Sequence, residues 1–323
     1  MAPLSIAPMT LGDIFDRLFK LIGRTWIRNL TIAVIILGPA GLIMGASADM
    51  GFSELAELME NRDYVDPFTA TEISTLLGFA LWFAIGLTLM LIGSVIATVA
   101  VTIVGCAEMS GESLSWQEAL SRTFHIRVVK VFGQYILEGT LFTAIIAIPY
   151  ILLIIGIAVD SVALGFLGGF LIFAGILIVV YLGISFAFTV PAISWEDADV
   201  IESFKRSWTL VRGHWWRTFG ILILMGLMVS FAASIIMTPF YLIFLWDFFK
   251  AYFDAISAIA TGENDPTIFV TMIKSLGFGI GILSGISSIL QLIVTPLYSV
   301  VMYFDLRARR GEFSQASASI TIP

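Results

Sequence analysis

Six long apolar runs leave this chain one solvent in which it can fold. Crossing a hydrocarbon core of ~30 Å takes about 20 residues of helix. Runs of roughly that length or more lie at about Leu30–Ala46, Ile73–Ala107, Val131–Val159, Val162–Val190, Thr218–Met237 and Ile273–Phe304. Lipid supplies no hydrogen bonds, so a spanning segment must satisfy its own backbone as a helix or a closed barrel. These runs are continuously apolar rather than alternating, which selects helices. Composition agrees: 59% of the 323 residues are hydrophobic and 13% charged, against about 25% charged in a soluble domain.

The second run holds 35 residues, yet one helix of that length spans only about 52 Å. That is too short for two ~30 Å crossings and a turn, and the run contains no Pro, Asn or Asp to make the turn. It is expected to be one long, tilted span.

Charge sets the expected orientation. Asp49, Glu54, Glu57, Glu60, Asp63, Asp66 and Glu72, with Arg62, separate the first two spans. Of 17 Lys and Arg residues, 14 fall in four other segments: Arg17, Lys20, Arg24 and Arg28; Arg122, Arg127 and Lys130; Lys205, Arg206, Arg212 and Arg217; Arg307, Arg309 and Arg310. The positive-inside rule places these segments and both termini in the cytoplasm and the acidic loop outside, in a plasma (inner) membrane. The opening Met-Ala-Pro-Leu-Ser lacks a secretory signal's basic start, so the first span is expected to stay in the mature protein. Cys106, at the inner end of the second span, is the natural thiol reporter of orientation. A net charge of −7 argues against nucleic acid as partner. One cysteine and two histidines, His125 and His214, leave little for a metal or haem, and no cofactor is expected.

The basic segments resemble one another. Asp13-Ile-Phe-Asp-Arg17 aligns with Glu202-Ser-Phe-Lys-Arg206 and with Glu118-Ala-Leu-Ser-Arg122. Each reads as an amphipathic helix, with Thr10/Asp13 and Ser115/Glu118 as N-terminal caps. In the first copy Leu11, Ile14, Phe15, Leu18 and Ile22 form the apolar stripe. The predicted fold is an all-α integral membrane protein of six transmembrane helices. They form three repeats of interfacial helix plus hairpin, at about 10–107, 115–190 and 199–304, within a single domain of residues 1–323. A basic, then polar, cytoplasmic tail covers 305–323. Interfacial helices rest their arginines on lipid phosphate, which makes Arg17, Lys20, Arg24, Arg28, Arg122, Arg206 and Arg217 candidate headgroup contacts.

Three stretches carry a family resemblance. They are Pro8-Met-Thr-Leu-Gly-Asp-Ile-Phe-Asp-Arg17, the segment from Pro191 to Trp208, and the ending Tyr303-Phe-Asp305-Leu-Arg307-Ala-Arg309-Arg310-Gly-Glu-Phe313. Together they resemble the bacterial membrane-domain family named after glycerophosphodiester phosphodiesterases. In that family's ending, Glu precedes Gly; here Gly311 precedes Glu312. The resemblance implies a membrane domain only. Segments outside the spans are too short for the catalytic barrel fused to some relatives, so enzymatic activity is not expected to transfer.

Within the spans, Gln134 and Glu138 lie four residues apart on one helix face, and an ionisable group at membrane depth is a functional candidate. With Gln291 they form a candidate intramembrane polar site. Pro39, Pro149, Pro239 and Pro296 are expected to kink packed helices; Gly165, Gly168, Gly169, Gly175, Gly277, Gly279, Gly281 and Gly285 point to close helix contact. Phe240–Ala260 reads as an outer-surface helix continuing span five, and Asp305 is expected to pair locally with Arg307. Two function classes remain. One is a non-catalytic scaffold or partner subunit in envelope or lipid homeostasis, acting with membrane lipids and other membrane proteins. The alternative is a transporter or flippase-like protein for a lipid or small hydrophobic molecule, resting on Glu138, the prolines and the repeat.

Overall fold

A computed structural model describes residues 7–61, 69–124, 126–261 and 267–313. His125, Arg62, Asp63, Asp66 and the polar tail beyond Phe313 lie outside the described residues. Among those described, the regular elements are all α-helices: α1 (Leu11–Asn61), α2 (Ala70–Met109), α3 (Trp116–Thr123), α4 (Ile126–Ala158), α5 (Val162–Phe186), α6 (Thr189–Glu196), α7 (Val200–Val211), α8 (Trp215–Phe244), α9 (Trp246–Thr261) and α10 (Thr267–Arg309). Six helical stretches are long and apolar enough to cross a membrane. The chain is a multi-pass membrane protein.

The second apolar run is a single helix, α2, as its length requires. Span four ends differently from its expected course. Its helix stops at Phe186, because Pro191 has no N–H to offer the Ala187 carbonyl four residues back. Ser299 Oγ donates to that carbonyl instead, at 3.2 Å. Ser207 Oγ donates to Ser185 O at 2.7 Å and accepts from Phe188 N–H at 3.1 Å. The chain then resumes as α6, with Pro191 in its first turn, where proline is tolerated.

The first basic segment is not a separate interfacial helix. It runs without interruption into span one as α1, and its side chains Ile14, Leu18, Leu21 and Thr25 are fully buried in protein. Nothing between Gly12 and Arg28 forces a turn, so the stripe propagates. Leu11 at its start is exposed, and the buried row runs through Leu21 rather than Ile22. α1 also continues past span one through Asp49 to Asn61, converting much of the expected acidic loop into helix. The run Ser53-Glu-Leu-Ala-Glu-Leu is rich in good helix formers. α3 and α7, by contrast, are short and separate from the spans that follow. All three segments nevertheless begin alike. The caps Thr10/Asp13, Ser115/Glu118 and Asp199/Glu202 each stand seven residues before the aligned arginine. The residue before each cap, Met9, Leu114 or Ala198, is buried.

The chain divides into two compact units. The first comprises residues 1–25, 99–225 and 296–323, and the second 26–98 and 226–295. In the first unit α4 and α5 form an extensively packed hairpin. Glycine makes the close approach possible: a Cβ at Gly168 would sit 2.6 Å from the Leu153 backbone nitrogen, and Gly156 faces the backbone of Gly165. The second unit uses the same device. Gly277 and Gly281 on α10 meet the α1 backbone at Asp49 and Gly45. Pro39, Pro149, Pro239 and Pro296 all lie inside continuous helices. Span five extends to Phe244, and α9 follows after Leu245, burying Ala251, Ala255 and Ala258 along one face.

Cys106 is 0% exposed, so the native thiol is closed to reagents and cannot report orientation.

Packing of the hairpin makes a paired prediction. Gly168→Ala drives a methyl into the α4 backbone and should destabilise the protein by about 1–3 kcal/mol. Gly165→Ala, which meets nothing within 4 Å, should be neutral. Thermal unfolding of both variants in detergent tests this; equal melting temperatures would show that the helices are not held this closely.

Candidate functional site

Charged residues gather in the first unit, where the N-terminal segment, α6, α7 and the ends of α8 and α10 meet. At the centre lies Asp305, 0% exposed. Its Oδ1 accepts from the Met9 backbone N–H at 2.7 Å. Its Oδ2 accepts from Arg217 Nη1 at 2.6 Å and Arg309 Nε at 3.0 Å. The second nitrogens of the same guanidiniums donate to the Met9 carbonyl, at 2.9 Å from Arg217 and 2.6 Å from Arg309. Both backbone groups of one residue and one carboxylate are thus closed into a ring by two arginines. Charge-assisted bonds of this bidentate kind are among the strongest a protein makes.

Beside this ring is a second, alternating cluster. Arg206 forks onto Glu196 with two bonds of 2.8 Å and also reaches Glu312 at 2.7 Å. Arg307 donates to Glu312 at 2.7 Å and lies 3.4 Å from Glu196. The Arg307 guanidinium also sits over Tyr303, Phe304 and Phe313, 5.0 Å from the last ring centre. Burial pushes the Glu312 carboxyl upward, but hydrogen bonds from Arg206 and Arg307 outweigh it and hold the group below its ordinary value. Arg206, despite burial, is raised by Glu312 and Glu196.

The end of α10 shows why the Gly311-Glu312 order matters. Gly311 takes φ +75°, a left-handed conformation costly for other residues. Gly311 N–H bonds Ala308 O at 3.0 Å and Glu312 N–H bonds Arg307 O at 3.3 Å. This is the Schellman closure of a helix end, and it turns the Glu312 carboxylate back onto Arg307. Arg310 caps the end of α7, donating to the carbonyls of Thr209 and Arg212.

Several expected site residues fall elsewhere. Asp305 does not pair with Arg307. Positions two apart on a helix point away from each other, whereas four apart they meet, and Asp305 accordingly takes Arg309. The guanidiniums of Arg206 and Arg217 bond Glu196, Glu312 and Asp305. Arg24 lies 3.7 Å from the buried carboxylate of Glu108, and Arg122 bonds Glu112 at 2.7 Å. Arg17 and Arg28 are half-buried, while Lys20 stays exposed beside Asp16. The Gln134 amide donates to Glu138, and the Gln134 Oε1 is buried without a partner. Gln291 is exposed and its amide goes to Ser287 on its own helix, at 3.2 Å.

Met9, Glu196 and Glu312 escaped the sequence reading. A signal for two acids existed: Glu112 precedes Arg122 by ten residues, and Glu196 precedes Arg206 by ten. The second and third copies therefore share an acid–arginine pair as well as a cap, whereas the first has Ala7 at that position. Two clefts are described. One of about 490 Å³ lies among α2, α3, α4 and α6; the other, about 250 Å³, lies between α1 and α2 in the second unit, lined by Ser47, Glu54 and Trp82. Glu138 lines neither.

The clasp predicts that Asp305→Asn, which removes the charge between two guanidiniums, costs about 3–5 kcal/mol. An unchanged melting temperature in detergent would refute a structural role for this carboxylate. Glu312 adds a pH signature. Its folded value lies below 4.5, so its contribution is complete above pH 4.5 and fades as the pH falls through the folded value. Glu312→Gln should melt earlier than the parent at neutral pH, with the gap closing in acid; a gap constant with pH would contradict the ion pairs.

A family model described as "Domain of unknown function (DUF7847)" matches residues 19–306. No curated protein and no solved structure matches the chain.

Proposed function

We propose that this chain, which belongs to the DUF7847 family, is a non-catalytic membrane scaffold or partner subunit acting in envelope or lipid homeostasis. One observation carries the reading: the α4–α5 hairpin turns an apolar flank outward. Only 6% and 11% of the most apolar windows of these two spans are buried, against 44% and 50% for the first two. Phe166, Phe170 and Phe173 stand exposed at helical spacing along α5. Aromatic side chains on such a face offer large, rigid contact area to another membrane helix. The charged clasp supports the same reading, because its carboxylates and guanidiniums are engaged with one another. The likeness of the tail to the glycerophosphodiester phosphodiesterase membrane-domain ending supports the link to lipid homeostasis.

The transporter reading rests on a specific feature of its own, the Gln134–Glu138 pair with its unsatisfied amide oxygen. Complementation of a deletion strain separates the two. Replacing Phe166, Phe170 and Phe173 together by Leu keeps the flank apolar for lipid but removes the rings. The scaffold reading expects lost complementation and a smaller complex on native gels, at normal abundance. Glu138→Gln should be silent, since it keeps shape and most hydrogen bonding. Silent aromatic replacement together with a folded, inactive Glu138→Gln would hand the function to transport.

The orientation proposed for the plasma (inner) membrane places the basic segments and both termini in the cytoplasm. In a Cys106→Ala background, Thr71→Cys should react with an impermeant thiol reagent on intact cells, and Ser121→Cys only after lysis. Both positions are exposed. The reverse pattern would invert the topology.

A further inference from the structure

We propose that the cleft of about 490 Å³ where α3 gives way to α4 binds the phosphate group of an anionic amphiphile. The inference goes beyond the scaffold reading and stands without it. Arg122 and Arg127 line the cleft together with Ser194, Trp195, Asp197 and the apolar Ile126. Its volume falls within the range of small-ligand sites, roughly 300–1,000 Å³.

Four features point to a phosphate. The first is Ser194, a lining residue 1% exposed, whose Oγ is buried with no hydrogen-bond partner. A buried hydroxyl without a partner is uncommon in a folded protein, and a ligand oxygen would satisfy it. The second is Arg127. Its nearest described carboxylate, Asp197, is 3.9 Å away, beyond hydrogen-bond reach, whereas Arg206 and Arg217 hold carboxylates at 2.6–2.8 Å. The third is the disposition of Asp197, the acid that would repel an anion here. Lys130 takes its carboxylate at 3.3 Å and its backbone carbonyl at 3.1 Å, and also pairs with Asp199 at 3.0 Å. Lys130 is thus the nearer cation to both acids, and Arg127 makes no hydrogen bond to Asp197. The fourth is the position of the cleft at the start of a 33-residue helix, α4. First-turn N–H groups lack partners within their own helix and favour anions.

The rim identifies the rest of the molecule. Ile126 in the lining is 58% exposed, and Phe124 and Val129, close to it in sequence, are 67% and 70% exposed. Trp195 is half-buried in the lining, and tryptophan favours headgroup depth. A phosphate seated between Arg127 and Ser194 would leave acyl chains free to lie along that apolar rim. The same phosphate chemistry could be presented by a soluble phosphate ester, so both sources enter the test.

Full-length protein, delipidated in detergent, is titrated with phosphatidic acid, phosphatidylcholine, glycerol 3-phosphate or inorganic phosphate, and adducts are counted by native mass spectrometry. Retention of phosphatidic acid over phosphatidylcholine is expected. Arg127→Gln should weaken it about tenfold, the loss of one charge-assisted contact, and Ser194→Ala less. Lys205→Gln, at an exposed position of α7, should leave it unchanged. Binding of glycerol 3-phosphate or inorganic phosphate with the same Arg127 dependence, but no lipid preference, keeps the phosphate site and assigns it a soluble ligand. Equal retention of both lipids, insensitivity to Arg127→Gln, or binding of none of the four overturns the proposal. Arg127→Lys, which keeps the charge, provides the same reading should the glutamine variant fold poorly: intermediate retention is expected, and full retention by both Arg127→Lys and Ser194→Ala overturns it.

Discussion

A carboxylate sealed from water must be answered by donors, and the answer to Asp305 organises the charged part of this protein. Burying an unpaired ion costs several kcal/mol. Here the ion is answered three times, by one backbone N–H and two guanidiniums. The donors come from three places far apart in sequence: the segment before α1, the start of α8 and the last turn of α10. Each guanidinium also spends a second nitrogen on the Met9 carbonyl, so no member can leave without exposing unsatisfied groups on the others. Such a ring is cooperative by construction. It fixes where the chain enters its first helix and leaves its last.

The Glu196–Arg206–Glu312–Arg307 cluster extends the same logic one layer outward. Acids and bases alternate, so each carboxylate contacts two guanidiniums and each guanidinium two carboxylates. What brings Glu312 into range is a backbone device, the left-handed Gly311. α2 closes in the same way: Gly111 at φ +86° is followed by Glu112, which turns to Arg122. Two helix ends separated by some two hundred residues thus use one Gly-Glu step to return an acid to the arginine of a short neighbouring helix. The Gly311-Glu312 order is therefore what lets this carboxylate reach the clasp.

Legibility followed the physics that each feature obeys. Hydrophobic length reports directly on a ~30 Å barrier, so six spans, the unity of α2 and the apolar all-α fold were readable from Ile73–Ala107 and its counterparts. Caps are local, and Ser115/Glu118 was readable for that reason. The breaks were harder. The end of α5 depends on Pro191 together with hydroxyls from Ser207 and Ser299, and no window around Phe186 contains them. Continuity of α1 through Arg28 was missed because amphipathic pattern alone does not say whether its apolar row meets lipid or protein; Ile14 and Leu18 meet protein. Partners of arginines were least legible. Arg17, Arg122 and Arg206 align in sequence, yet Arg206 is committed by Glu196 and Glu312, which lie ten residues before it and 106 residues after it.

Arginine chemistry is the same throughout the first unit; what differs is the local supply of acid. Where α6, α10 and the turn after it deliver Glu196, Asp305 and Glu312, the guanidiniums are engaged by carboxylates within 3 Å. Near the start of α4 the supply is short. Asp197 is the acid within reach of Arg127, and Lys130 holds it from the other side. A guanidinium left in that position, in a cleft that also holds exposed Ile126, does not contribute to the clasp and gains most from an anion arriving with an apolar body. The clasp consumes its charge to hold five helix ends in register, and the α4 corner together with the outward flank of the α4–α5 hairpin keeps the surface with which this protein can meet something else.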